Sequence, residues 1–313
     1  MSNELKATRE AYGEVLVELG EKYPDLIAME ADLGKSTFSI KFKEKFPDRY
    51  FDVGIAEQNL IGMASGVAKT GRTVFASTLS IFAPGRCWDQ MRNTLAHSKC
   101  DVKLVTTHAG ISIGKDGSSH QALEDITLLR VIPDMTVIVP CDANETKRAI
   151  RKIAETPGAF SVRLARPETA LVTPADGEFE IGKGMVLRAG TDLTFAACGL
   201  MVHECLTAAE ELKKQGISAE VLNIPTVKPI DKDLLINSGR KTGLMIPCEE
   251  HSIIGGFGSA VLESLEEETG IICKRIGTND CWGESGEPEE LFEKYGLSAA
   301  SIVKTALEML KKK

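Results

Sequence analysis

No apolar run in this chain approaches the length of a membrane span, and its N-terminus lacks the basic start and apolar segment of a secretory signal. A cytoplasmic chain with no membrane partner is expected. Basic clusters are also missing. Apart from Lys311–Lys313, which reads as a solvated helix end, positive charge is scattered and the formal net charge is −8, which argues against nucleic acid as the principal partner. The cysteines (Cys87, Cys100, Cys141, Cys198, Cys205, Cys248, Cys273, Cys281) form no CxxC pair and lie mostly in apolar stretches such as FAACG and GIICKRI, so they read as reduced core thiols. No convincing internal repeat is present.

What is present is enough chain for two cores, since 313 residues exceed one typical domain. Short apolar runs at 26–30, 50–54, 73–77, 102–107, 135–140 and 159–164 predict strands. Between them, 4–22, 56–70, 82–97, 119–130 and 143–155 predict helices, the last capped by Asp142 or Asn144. Such alternation implies a mainly parallel sheet flanked by helices. From 166 to 190 the pattern dissolves into RPETALVTPADGEFEIGKGMVLRAG, read as a linker. A second α/β series follows, with strands at 192–197, 218–223, 243–248 and 271–276 and helices at 200–215, 256–269 and 299–312. The expected division is 1–165, a linker at 166–190, and 191–313.

Two stretches carry chemistry. In DVGIAEQNLI (52–61) Glu57 is flanked by Val53, Ile55, Ala56, Leu60 and Ile61. A carboxylate taken out of water holds its proton more tightly and needs a partner, for which a cofactor ring nitrogen is one choice. The alternative is an acid at a helix N-terminus, interacting with the helix dipole. In TTHAGISIGKDGSSHQ (106–121) His108, Asp116 and His120 share a loop with Gly110, Gly114 and Gly117. Glycines let backbone approach a ligand, and imidazoles exchange protons near neutral pH. Either histidine alone would read as a surface or core residue; the two with an aspartate between them point to proton transfer on a polar substrate.

Together GIAEQN, the glycine-rich loop and LRVIPDMTVIVPCDANE resemble the pyrimidine-binding domain of transketolases, and residues 190–313 resemble the transketolase C-terminal domain. The resemblance is to the C-terminal subunit of a split transketolase, whose diphosphate-binding domain is a separate polypeptide. It implies thiamine diphosphate as cofactor and Mg²⁺ or another divalent metal held by the partner, because the GDG…N metal motif is absent here: Asp116 belongs to the substrate loop and Asn144 to a helix turn. It also implies self-association through the pyrimidine-binding domain into a heterotetramer, and sugar phosphates as substrates, as in the pentose phosphate pathway.

Carried over by the same resemblance, Glu57 matches the acid that hydrogen-bonds the aminopyrimidine nitrogen, and Phe82 the aromatic against the pyrimidine face. Ile55 and Asp32 match other positions at the cofactor, and Leu79 stands where many relatives carry phenylalanine. His108, Asp116 and His120 match contacts to the donor ketose, with both histidines assisting proton transfer. Arg9, Ser36 and Arg166 match phosphate contacts, for which guanidinium forks are suited. On composition alone Arg9 and Arg166 would read as solvated. His251 resembles a C-terminal-domain element, and Gly255, Gly256 and Gly258 read as a strand-to-helix turn.

Ketol transfer between sugar phosphates is the function these features imply. A 1-deoxyxylulose-5-phosphate synthase would usually carry Arg in place of His108, and the β subunit of a 2-oxoacid dehydrogenase lacks the SIGKDGSSHQ loop. A catalytically silent scaffold of the same fold is the non-enzymatic alternative, opposed by Glu57, His108 and His120.

Overall fold

The computed structural model describes residues 4–313. It divides into two compact units, one running up to Ala109 and from Leu128 to Glu180, the other comprising Gly110–Thr127 and Ile181–Lys313. Residues 110–127, which the sequence places in the first domain, are grouped with the second unit. Among the described residues no helix is long and apolar enough to cross a membrane.

In the first unit six parallel strands lie side by side in the order Met135–Ile138, Ala159–Arg163, Val102–Thr107, Val74–Leu79, Ile27–Glu30 and Tyr50–Asp52. The central ones are buried along their whole length, which is why they read as continuous apolar runs rather than as alternating patterns. Parallel strands put all their carboxyl ends on one edge, the usual place for ligands in open α/β sheets. Glu30 to Asp32, Asp52 to Glu57, Leu79 to Phe82, Thr107 with His108, and Arg163 to Arg166 all stand at or just beyond such ends.

The expected first helix starts only at Thr8, because Leu5–Ala7 pairs as an antiparallel strand with Glu168–Ala170. The 82–97 segment is α-helical over Phe82–Asp89, kinks at Cys87 and continues as a π-helix over Gln90–His97. The expected 119–130 helix is reduced to Asp125–Arg130, since His120 and Gln121 turn back to donate to Gly117 O. Asp142, not Asn144, caps Ala143–Glu155: its Oδ1 accepts from Glu145 N at 2.8 Å while its Oδ2 accepts from Val172 and Thr173 N at 2.7 Å. That carboxylate therefore ties the start of the supposed linker to the first unit.

The second unit has the strand order Ile272–Cys273, Leu244–Ser252, Leu193–Ala197, Ala219–Asn223 and Met185–Arg188, with Ile276–Thr278 also paired to Leu244–Ser252. All pairs are parallel except the edge strand Met185–Arg188, which supplies order within 166–190. The helix Lys232–Thr242 escapes the sequence pattern because its buried face is Leu235, Ser238, Gly239 and Thr242, too polar to show apolar periodicity. All cysteines are free thiols; Cys281, unlike the rest, is exposed.

Candidate functional site

Glu57 opens the helix Glu57–Ala68 and is only 5% exposed, with Leu60 and Ile61 fully buried on the same helix. Ile55, two residues earlier, is 78% exposed. The turn ahead of both is built by Asp52, whose Oδ1 accepts from Gly54 N at 2.9 Å and from Asp32 N at 3.0 Å, joining two strand ends through one carboxylate. The partner that Glu57 requires is within the chain: Arg86 Nη1 donates to Glu57 Oε1 at 2.9 Å. The same guanidinium lies 4.1 Å from the centroid of the Phe82 ring. Glu57 and Phe82 are thus brought together with a flat, N–H-bearing cation linking them. Sequence reasoning passes over Arg86; its signal is the i, i+4 spacing from Phe82, which puts both on one helix face.

The EADLGKSTFS segment is organised by a second acid that sequence reasoning misses. Glu30 is fully buried, and its Oε1 accepts from Ala31 and Leu33 N at 3.0 Å while its Oε2 accepts from Thr37 Oγ1 and Ser39 Oγ at 2.8 Å. Burial pushes its pKa up to about 7, against the pull of those four donors. Asp32 is exposed and held at φ 58°, a left-handed conformation uncommon outside glycine. Four residues on, Ser36 meets Arg9: Arg9 Nη1 donates to Ser36 O at 2.9 Å and Arg9 Nε to Arg166 O at 3.2 Å. Thr8 Oγ1, donating to Ala165 O at 3.3 Å, pins the same segment. Residues 9, 36 and 166 therefore converge. Burial, and then the positive charge of Arg166, lower the pKa of Arg9. Two guanidinium-bearing residues side by side favour an anion between them.

His108 follows the central strand Val102–Thr107 and belongs to the first unit. It is buried, has φ 62°, and its Nδ1 is 2.7 Å from Thr107 Oγ1. Left-handed backbone at a non-glycine residue costs about 1–3 kcal/mol and is tolerated where the surroundings enforce it, often at functional sites. Asp116 and His120 belong to the second unit. Asp116 is exposed; His120 is half-buried, with Nδ1 2.9 Å from Ser119 Oγ.

In the second unit, the glycines around His251 form the expected turn. Glu249 Oε2 accepts from Phe257 N at 2.6 Å and its Oε1 from Gly258 N at 2.8 Å, so a side chain takes the N–H groups that a nucleotide phosphate would need. A Cβ on Gly256 would fall 2.2 Å from Glu249 Oε2. His251 is fully buried, its Nδ1 donates to Ser252 O at 2.7 Å, and its Nε2 lies 3.8 Å from Asp125 Oδ1.

The transketolase pyrimidine-binding domain matches residues 4–171 and the transketolase C-terminal domain residues 182–302. A putative transketolase C-terminal section from Methanocaldococcus jannaschii is 48% identical over 100% of this chain and 99% of its own length. The 6-deoxy-6-sulfo-D-fructose transketolase subunit SqwH of a Clostridium species is 39% identical over 97% of this chain and 95% of its own. A solved structure described as a split-gene transketolase in an inactive β4 tetramer superimposes with a TM-score of 0.91 at 46% identity, covering 97% of this chain and 98% of that one. The chain belongs to the transketolase family, and carries its pyrimidine-binding and C-terminal domains as the C-terminal section of a split transketolase does.

Proposed function

We propose that this chain is one subunit of a thiamine-diphosphate-dependent transketolase, moving a two-carbon ketol unit between ketose and aldose phosphates together with a separate subunit that binds the diphosphate and Mg²⁺. The observation that carries this reading is the buried Glu57 carboxylate meeting a planar nitrogen group that rests on Phe82. A guanidinium has that place now; an aminopyrimidine is equally flat, and its ring nitrogen can share a proton with the Glu57 carboxyl group, so the residues fit the cofactor's pyrimidine end. When bound, thiamine diphosphate supplies the nucleophilic carbon and the electron sink for breaking and re-forming a carbon–carbon bond.

The chain's own groups then have defined tasks. Glu57 exchanges a proton with the ring through its carboxyl group, and its burial keeps competing water away. Phe82 covers a ring face, and Ile55 and Asp32 stand at the cofactor's edge. Arg9, Ser36 and Arg166 bind the phosphate end of the sugar. His108, Asp116 and His120 contact donor hydroxyls, the imidazoles holding and passing protons at their ring nitrogens.

Assembly follows from the division of parts. A chain with the pyrimidine half of a site associates with itself through that domain and completes each site only with its partner, in keeping with a relative's β4 tetramer being described as inactive. Reconstitution with the diphosphate-binding subunit tests the proposal: ketol transfer is expected from the mixture with cofactor and Mg²⁺, and from neither subunit alone. Tight cofactor binding and turnover by the single chain would overturn it. A second reading, a sulfonated donor, rests on the sulfofructose-specific name of a 39% identical relative and on an Arg9–Arg166 pair that suits any tetrahedral oxyanion. Comparing fructose 6-phosphate with 6-deoxy-6-sulfofructose as donors separates the two.

A further inference from the structure

The glycine-rich loop that carries Asp116 and His120 is held, within the second unit, by the end of the strand Leu244–Ser252. Successive side chains of a strand point to opposite faces, and the adjacent acids of this one divide accordingly. Glu249 caps the helix Phe257–Ser264, whereas Glu250 turns to the loop. Glu250 is only 4% exposed, and its Oε1 accepts from Ser112 N at 2.6 Å. The fit is close enough to dictate the neighbouring residue: a Cβ at Gly110 would lie 2.3 Å from the Glu250 carboxyl group, and Gly110 has φ +75°. The far end of the loop is tied by Gln121 Nε2 donating to Glu284 O at 2.9 Å and by Ser252 N donating to Leu123 O at 2.8 Å. Between these anchors the backbone has one short 3₁₀ turn, Ile111–Ile113, and then glycine turns.

We propose that Glu250 is a positioning residue for substrate: by fixing Gly110–Ser112 it sets where the loop presents Asp116 and His120. A flexible, glycine-rich loop gains precision only from the scaffold that grips it, and at the loop's start a buried carboxyl group adds its grip to the bonds Gly110 N to Ala122 O and Gln121 Nε2 to Ile111 O. The inference rests on the transketolase reading for what the loop binds, and gives the C-terminal domain a part in donor recognition.

Three variants test it: Glu250→Ala, Glu250→Gln, which keeps an Oε1 acceptor of the same reach, and Gly110→Ala, which displaces the loop with Glu250 intact. In the isolated chain, hydrogen–deuterium exchange of peptides covering 110–121 should rise in Glu250→Ala and Gly110→Ala and stay near wild type in Glu250→Gln, with the core strands of both units unchanged. In the reconstituted enzyme, kcat/KM for a ketose donor should fall about tenfold to 10²-fold in the two disruptive variants. Most of it should be recovered in Glu250→Gln, while the affinity for thiamine diphosphate is kept in all three. Unchanged loop exchange in Glu250→Ala, a Glu250→Gln variant no better than Glu250→Ala, or a loosened loop with unaltered donor kinetics would each overturn the assignment. A wild-type mixture that transfers no ketol unit would instead strike at the functional reading, and the exchange data would still decide whether Glu250 holds the loop.

Discussion

Arg86 reaches Glu57 with a 2.9 Å charge-assisted hydrogen bond while lying 4.1 Å above the Phe82 ring, so one guanidinium engages both groups that the proposed function assigns to the cofactor's pyrimidine. Any ring that takes the Glu57 carboxylate and the Phe82 face must displace it. Arg86 has room to move, since its side chain is half exposed, whereas Glu57 does not. The apparent cofactor affinity therefore includes the loss of this pair.

Arg86→Ala is expected to tighten thiamine diphosphate binding by the reconstituted enzyme about two- to fivefold, the range of a partly exposed ion pair. It should also make that affinity less sensitive to salt, because the competing interaction is ionic. Calorimetric titration at two ionic strengths measures both. Weaker binding in the variant would mean that Arg86 holds the cofactor rather than its place.

The apolar neighbours in DVGIAEQNLI make the burial of Glu57 legible, although the motif alone also suits a helix-terminal acid, and the sheet is legible because buried parallel strands are plain apolar runs. Arg86 stays hidden since an arginine four residues after a phenylalanine looks like any helix surface; only the fold turns that face toward a strand end. Glu30 is hidden for a different reason. It ends the strand Ile27–Glu30 and looks like a solvated terminus, but the next residues curl back and give it four donors. The convergence of residues 9, 36 and 166 is likewise a product of topology, as strand order brings distant segments to one edge.

That convergence predicts a selective defect. Arg166→Ala and Ser36→Ala should lower kcat/KM for phosphorylated donors by about tenfold or more, since a hydrogen bond to a charged group contributes roughly 1.5–3 kcal/mol. Unphosphorylated analogues such as erythrulose or hydroxypyruvate should lose little. Arg9→Ala should hurt both classes, because Arg9 also ties the Ser36 and Arg166 backbones together. Equal losses on both substrate classes in Arg166→Ala would reassign that residue to the fold.

Glu57→Gln separates burial from proton holding. The amide keeps the size and a hydrogen-bonding edge but cannot carry an acidic proton, so turnover by the reconstituted enzyme should fall about 10²–10⁴-fold, the usual scale of general acid–base catalysis. Assembly, followed by light scattering, should be unchanged. A variant with wild-type turnover would remove Glu57 from the chemistry and leave it as a helix-terminal acid.

Glu30 gives the fold a pH dependence of unusual sign for a carboxylate. Its pKa rises from 4.5 in an exposed chain to about 7 in the folded one, chiefly through burial. The folded state therefore binds the proton more tightly. Its contribution to stability is fully present below about pH 4.5 and is lost as pH rises through about 7, amounting to about 3 kcal/mol across that window. Glu30→Gln keeps the size and cannot ionise, and the rotatable hydroxyls of Thr37 and Ser39 can turn to accept from its amide. Urea unfolding of both proteins at a series of pH values isolates the effect, because every other titrating group cancels in the difference. The wild type should lose stability relative to the variant between pH 4.5 and 7.5. A difference that stays constant across that range would mean that the four donors hold Glu30 ionised in the fold, and that the loop bearing Asp32 and Ser36 is built around a buried charge.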